Sequence, residues 1–343
     1  MRRRDLLAVS AAIDFCGTLM KSLCVPLLVL LVSPLAVAQH HSMAEHRRPA
    51  STPKLDLRDD SAAQVLTVRL GPLNLPAHST HMQVAQPATQ FFPITLDGWL
   101  IAYHPRLVDE SGNLLPGRML HHVAYWNTNR SDFLCPQHEE HIFGAGGEMN
   151  DWQAVPGFGY RVHPQDRIRL SSMFHNPTET SYANAYLEVK IEYRLASKEQ
   201  LKSVYPAWFD VQQCGDSDYD LKLGRNVTSG TLRLDYSGIL LGVGGHLHDY
   251  GRQLVLENLT RKQNIATLDA SLDEKGRLLS IPLTLFVQQG GYHLSKDDLV
   301  KVTARYDNQS GKELPQGAMG IVVGYFLPDT DSEMWHSLVR LAH

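Results

Sequence analysis

Leu187-Glu188-Val189-Lys190-Ile191-Glu192-Tyr193 places an apolar side chain at every second position and a charged one between. Successive strand residues face opposite sides, so this stretch reads as a β-strand with one face in a core and one in water. Val300-Lys301-Val302-Thr303-Ala304-Arg305-Tyr306 repeats the pattern far downstream. Further strands are expected at Trp99–Tyr103, His122–Trp126, Arg167–Met173, Ile239–Val243, Gln253–Glu257 and Gly320–Phe326. Turn residues such as Asp109-Glu110-Ser111-Gly112-Asn113 and Asp307-Asn308-Gln309-Ser310-Gly311 punctuate them. The clearest helical pattern is Ser197–Val204, with Ser197 as N-cap and Glu199-Gln200 in its first turn. The expected fold is all-β: two antiparallel β-sandwich, jelly-roll-like domains in tandem, 63–196 and 229–343, joined by a linker or hinge over 197–228.

Outward from these domains, residues 1–38 read as targeting sequence. Met20-Lys21 opens a compact signal peptide, the apolar run Val25 to Val32 follows, and Ala36-Val37-Ala38 forms a small-residue cleavage pattern. Met20 is an alternative start, with 1–19 as an upstream extension; Arg3-Arg4-Asp5-Leu6-Leu7 is a short match to a twin-arginine signal. Residues 39–62 read as a flexible leader. The expected location is secreted or periplasmic, with no stable membrane span after cleavage. Cys16 and Cys24 leave with the signal, and an exported pair Cys135 and Cys214 is expected to form a disulfide rather than a metal site. A net charge of −4 without a long basic stretch beyond the targeting region argues against a nucleic-acid partner.

The chemistry-bearing residues are His121, His122, His175, His246, His248 and Met319. In a strand, the two imidazoles of His246-Leu247-His248 project from one face and can chelate one ion. Gly242, Gly244 and Gly245 before them permit close backbone approach or a bulge. Adjacent His121 and His122 reach one ion only where the strand is bent or ending. His175 follows a strand and precedes Asn176-Pro177, which ends regular pairing. Singly each has a bland reading: a surface H-x-H, a core methionine, a polar strand end. As two sets of three they suit two ions, and a thioether favours soft Cu(I) over zinc, magnesium or calcium. Cys135-Pro136-Gln137-His138-Glu139-Glu140-His141 reads as a loop with solvated charges. His40 and His41 lie near the mature N-terminus, and His78, His81, His104, His163 and His293 have no partner spacing. Asn226, Asn258 and Asn308 fit the glycosylation sequon.

From roughly Gln83 to Leu327 the order of these residues resembles the copper type II, ascorbate-dependent monooxygenases, which include peptidylglycine α-hydroxylating and dopamine β-monooxygenases. The intervals 175→246 and 248→319 are each 71 residues. The resemblance implies that His121, His122 and His175 form an electron-storing copper site. His246, His248 and Met319 would form an oxygen-activating one across a cleft. Ascorbate or a similar reductant would supply electrons for hydroxylating a small organic substrate with O₂. The stretch from Gly244 to Gly251 also looks like plant stress-induced nodulin-type relatives. Gly244, Ile321 and Val323 stand where the peptide hydroxylase has the arginine, asparagine and tyrosine that anchor a peptide carboxylate, so the resemblance does not extend to that substrate. Asp249 and Tyr250 are candidates to support the ligands. Two other readings are an exported copper-handling protein without turnover and a zinc hydrolase, though zinc rarely recruits methionine.

Overall fold

A computed structural model describes residues 52–148, 151–332 and 338. The targeting segment with its start and cleavage positions, Cys16, Cys24, His40, His41 and most of the leader lie outside them.

The first half runs β1 (Lys54–Asp60), β2 (Val65–Leu75), β3 (Gln90–Pro93), β4 (Gly98–Val108), β5 (Leu120–Ser131) and β6 (Glu139–Gly146). It continues with β7 (Phe158–Val162), β8 (Arg167–Phe174), β9 (Tyr182–Leu195) and β10 (Lys202–Ser203). One sheet has the order β1-β2-β9-β4-β7-β10 and the other β3-β8-β5-β6. The alternation read at 187–193 does what it predicts: Leu187, Val189, Ile191 and Tyr193 are buried at 2% exposure or less. They pack in one core with Val123, Tyr125, Ile168 and Leu170 of the opposing sheet.

The second half runs β11 (Tyr205–Asp210), β12 (Tyr219–Leu221), β13 (Gly224–Arg233), β14 (Gly238–Leu247), β15 (Gly251–Asn258) and β16 (Gln263–Asp269). Then follow β17 (Ser271–Leu272), β18 (Leu278–Ser280), β19 (Thr284–Leu285), β20 (Tyr292–Leu294), β21 (Leu299–Asn308), β22 (Leu314–Ala318) and β23 (Gly320–Pro328). Here β11-β23-β14-β19, with β20 also on β14, faces β13-β21-β15-β16. Val300, Val302 and Ala304 enter a second core with Leu240, Val243 and Leu254. The chain is therefore an all-β sandwich fold.

Three expectations are corrected. Lys54–Asp60, assigned to the flexible leader, pairs along its whole length with β2 as a charged edge strand. No helix forms over 197–204. A turn closes at Leu195, where the Lys198 and Glu199 amides donate to the Leu195 carbonyl, and β10 then runs parallel to β7. Leu201 and Val204 are buried. Residues 197–228 are no simple linker either, because β11 pairs with β23 inside the second core.

The halves are tied where the site lies. Phe133, from the β5–β6 loop, stacks on Phe326 in the second core at 5.1 Å between rings. Cys135 and Cys214 form the expected disulfide between that loop and the one after β11. Between them Glu140 is fully buried against Arg130 and Tyr160, so its charge is not solvated, and 139–146 is strand rather than loop. Asn258 and Asn308 are also buried, and their side-chain amides donate to Asp298 and to backbone carbonyls, which removes them as glycosylation sites.

Candidate metal centre

β5 answers how adjacent histidines converge. Leu120 pairs with Phe174 and His122 with Met173, so His121 is an extra residue in a bulge that turns its ring toward its neighbour. The two Nδ1 atoms lie 3.2 Å apart. His175 sits just past β8, its backbone N–H donating to the Met119 carbonyl. Its Nε2–H donates to the Arg118 carbonyl at 2.6 Å, which leaves Nδ1 as the free electron pair. The next residue, fully buried Asn176, is locked by bonds to the Leu75 and Thr180 carbonyls.

In the second half, β14 pairs His246 with Ile321 and Leu247 with Gly320. Carried one residue further, that register sets Met319 opposite His248. Side chains two apart share a face, so His246, His248, Met319 and Ile321 all project from the same side. The Tyr306 hydroxyl locks this corner. It accepts from the His248 and Met319 amides at 2.9 and 3.2 Å and donates to the Met319 carbonyl.

The five expected histidines therefore lie in one cluster rather than in two sets separated by a cleft, and Met319 lines the same cavity as His122 and His246. His121 rings lie 5.2 Å from His122, 5.3 Å from His175 and 4.4 Å from His248, which in turn is 5.3 Å from His246. Among the described residues, His121, His122 and His248 each offer one ligand atom within 4.8 Å of the others, a group that crosses the expected division. The disulfide and Phe133 hold the two halves close enough to merge the sets. His81, which had no partner spacing, lies 5.2 Å from His121.

Glu148 is the residue that sequence patterning missed. It follows β6 and is 3% exposed, and it accepts from His246 Nδ1 at 3.1 Å. The Gly146 amide holds the same carboxylate oxygen. A side chain at Gly146 would strike the His246 ring, so the glycine is what lets the two groups meet. Nothing in the local sequence marks this carboxylate; it is visible only through the contact. Asp249 accepts the Leu278 amide and faces His175 electrostatically, whereas Tyr250 packs on Gly276 away from the cluster.

Burial dominates the protonation of this cluster. It pushes His121 down to about 2 and His122 to about 4, each reinforced by neighbouring imidazoles, and it also lowers His175 and, strongly, His248. These rings are neutral, the form that ligates metal. Burial opposes charge on His246 too, but Glu148, with Asp218 and Asp210 behind it, raises it above its ordinary value. Conversely His246 holds Glu148 below the usual carboxylate range despite burial.

Four buried atoms of this cluster have no hydrogen-bond partner: His246 Nε2, His248 Nδ1 and Nε2, and Glu148 Oε2. Leaving a buried polar atom unpaired costs about 1–3 kcal/mol. Such a concentration of unpaired atoms on imidazole and carboxylate fits a cation-binding site. The donor set fits copper. His138 and His141, by contrast, are committed to the Cys214 carbonyl and the Asp132 carboxylate.

No protein-family model matches the chain. Over 148 residues it is 27% identical to a Phoma sp. protein named "Probable copper-dependent oxygenase M1", covering 39% of this chain and 36% of that protein. Over 145 residues it is 25% identical to "Probable copper-dependent oxygenase clz3" of Cochliobolus lunatus, covering 39% of this chain and 45% of the relative. The matches thus span less than half of the relatives' own length. At that level, the chain is similar to fungal proteins named as copper-dependent oxygenases.

Proposed function

We propose that this protein is an exported copper-dependent monooxygenase acting on a C–H bond of a small organic molecule. The observation that carries the reading is the set of unpartnered, buried imidazole nitrogens on His246 and His248 beside Met319 and against His121. Although the rings form one cluster, the assignment we propose divides it between two ions, His121, His122 and His175 holding one and His246, His248 and Met319 the other. Bound there, copper would supply one-electron chemistry toward O₂, with ascorbate or a similar donor giving the two electrons needed to put one oxygen atom into the substrate and release the other as water.

The protein's own groups prepare that chemistry. Glu148 holds the proton of His246 on Nδ1 and so presents Nε2 to the site. Tyr306 fixes the backbones that carry His248 and Met319. The Arg118 carbonyl turns Nδ1 of His175 inward. The Cys135–Cys214 disulfide suits a secreted or periplasmic location, where such bonds persist. Among the described residues no helix is long and apolar enough to cross a membrane.

The compact His121–His122–His248 group favours one alternative: a copper-binding protein that holds a single ion without turnover. Copper titration with metal analysis, followed by O₂ uptake under ascorbate, separates the two. Two coppers per chain and reductant-driven O₂ uptake that rises with substrate support the oxygenase. One tightly held copper without uptake supports the alternative, and zinc in place of copper sinks both.

A further inference from the structure

Beside the imidazoles lies a cavity of about 320 Å³ whose walls include His246 and Met319. Its floor is Met319 and the adjoining face of β23, where Ile321 and Val323 pack with Trp152 and Trp208. Gly244 pairs with Val323, and the absence of a side chain there lets the Trp152 ring lie close to this floor. Part of its wall is acidic, formed by Asp210 at the end of β11 and by Asp216 and Asp218 after it. Asp210 is occupied by the Gln212 amide and the Ser217 hydroxyl. Asp218 keeps a buried carboxylate oxygen with no partner, and the Trp208 indole N–H is likewise buried and unpaired. The arginine in the wall, Arg169, is already committed: it donates to Glu139, and its guanidinium lies 3.8 Å over Trp126.

These features divide the cavity into an apolar end next to Met319 and an end that accepts hydrogen bonds. We propose that it binds a small molecule with an alkyl or aryl end and a neutral or cationic hydrogen-bond-donating end, and rejects carboxylates. The apolar end lies on Met319, Ile321 and Val323. The donor satisfies the orphaned Asp218 oxygen, and a hydroxyl can in addition accept from Trp208. A carboxylate would lose its hydration beside Asp210, Asp216 and Asp218, and the cations in the wall are already balanced, Arg169 by Glu139 and His246 by Glu148. The inference rests on the oxygenase reading only in calling this ligand the substrate.

Binding to the full chain, with and without copper, is measured by tryptophan fluorescence and calorimetry using 3-phenylpropan-1-ol, 3-phenylpropylamine and 3-phenylpropanoate. The alcohol and amine should bind at least tenfold more tightly than the carboxylate. Asp218→Asn should erase most of the amine's advantage, and Ile321→Trp, or Val323→Phe should that variant misfold by circular dichroism, should weaken all three. Equal or tighter binding of the carboxylate overturns the proposal, as does binding of none, or unchanged binding when the floor is filled. Selective binding by a protein that takes up no copper keeps this inference and removes the oxygenase reading. Copper uptake with preference for the carboxylate does the reverse.

Discussion

Glu148 and His246 come from different halves of the chain and meet in a buried hydrogen bond of 3.1 Å between carboxylate and Nδ1. The bond chooses which nitrogen of His246 is free. Glu148→Gln keeps the shape and removes the charge. Copper affinity should fall 10- to 100-fold, the usual range for losing such a support, as read by competition with a chromophoric Cu(I) chelator. Unchanged affinity would show that the carboxylate does not orient the ring.

Tyr306 serves two ligands with one hydroxyl. Tyr306→Phe leaves the amides of His248 and Met319 buried without their acceptor. A loss of about 1–3 kcal/mol in unfolding free energy is expected, together with altered copper hyperfine couplings in electron paramagnetic resonance. A variant as stable as the parent, with an identical spectrum, would remove this role.

Met319→Ile and His175→Ala should separate the two proposed ions. The first conserves volume and should cost less than about 1.5 kcal/mol, yet weaken Cu(I) at one ion and abolish O₂ uptake. The second should deplete the other ion and leave the Met319 site loaded. Two coppers with unchanged potentials in either variant would refute the division of ligands.

Acid should destabilise the metal-free protein. His121, His122, His175 and His248 bind protons less readily when folded than unfolded, so their neutral state contributes stability above the ordinary value near 6.5 that is lost as pH falls below it. His246 is raised, so its contribution is complete below 6.5 and is lost only as pH rises through its folded value. Between pH 6.5 and 4, His121 and His122, held down to about 2 and about 4, each cost about 1.4 kcal/mol per pH unit. Urea midpoints should therefore drop across this range, and His121→Asn should flatten the slope. A pH-independent midpoint would contradict the burial of these rings.

The strands were legible because period-two patterning is local: residues 187–193 and 300–306 carry their own inside and outside. The clustering histidines and Met319 were legible as candidates too, since imidazole and thioether chemistry belongs to the side chain wherever it sits. The helix expected at 197–204 was not legible as a strand, because its propensity yields to the burial of Leu201 and Val204 and to pairing with β7. Glu148, Tyr306 and the proximity of His121 to His248 also came from tertiary structure alone. Each depends on a bulge, a register or a crosslink joining residues far apart in the chain, and no local pattern encodes a distance of that kind.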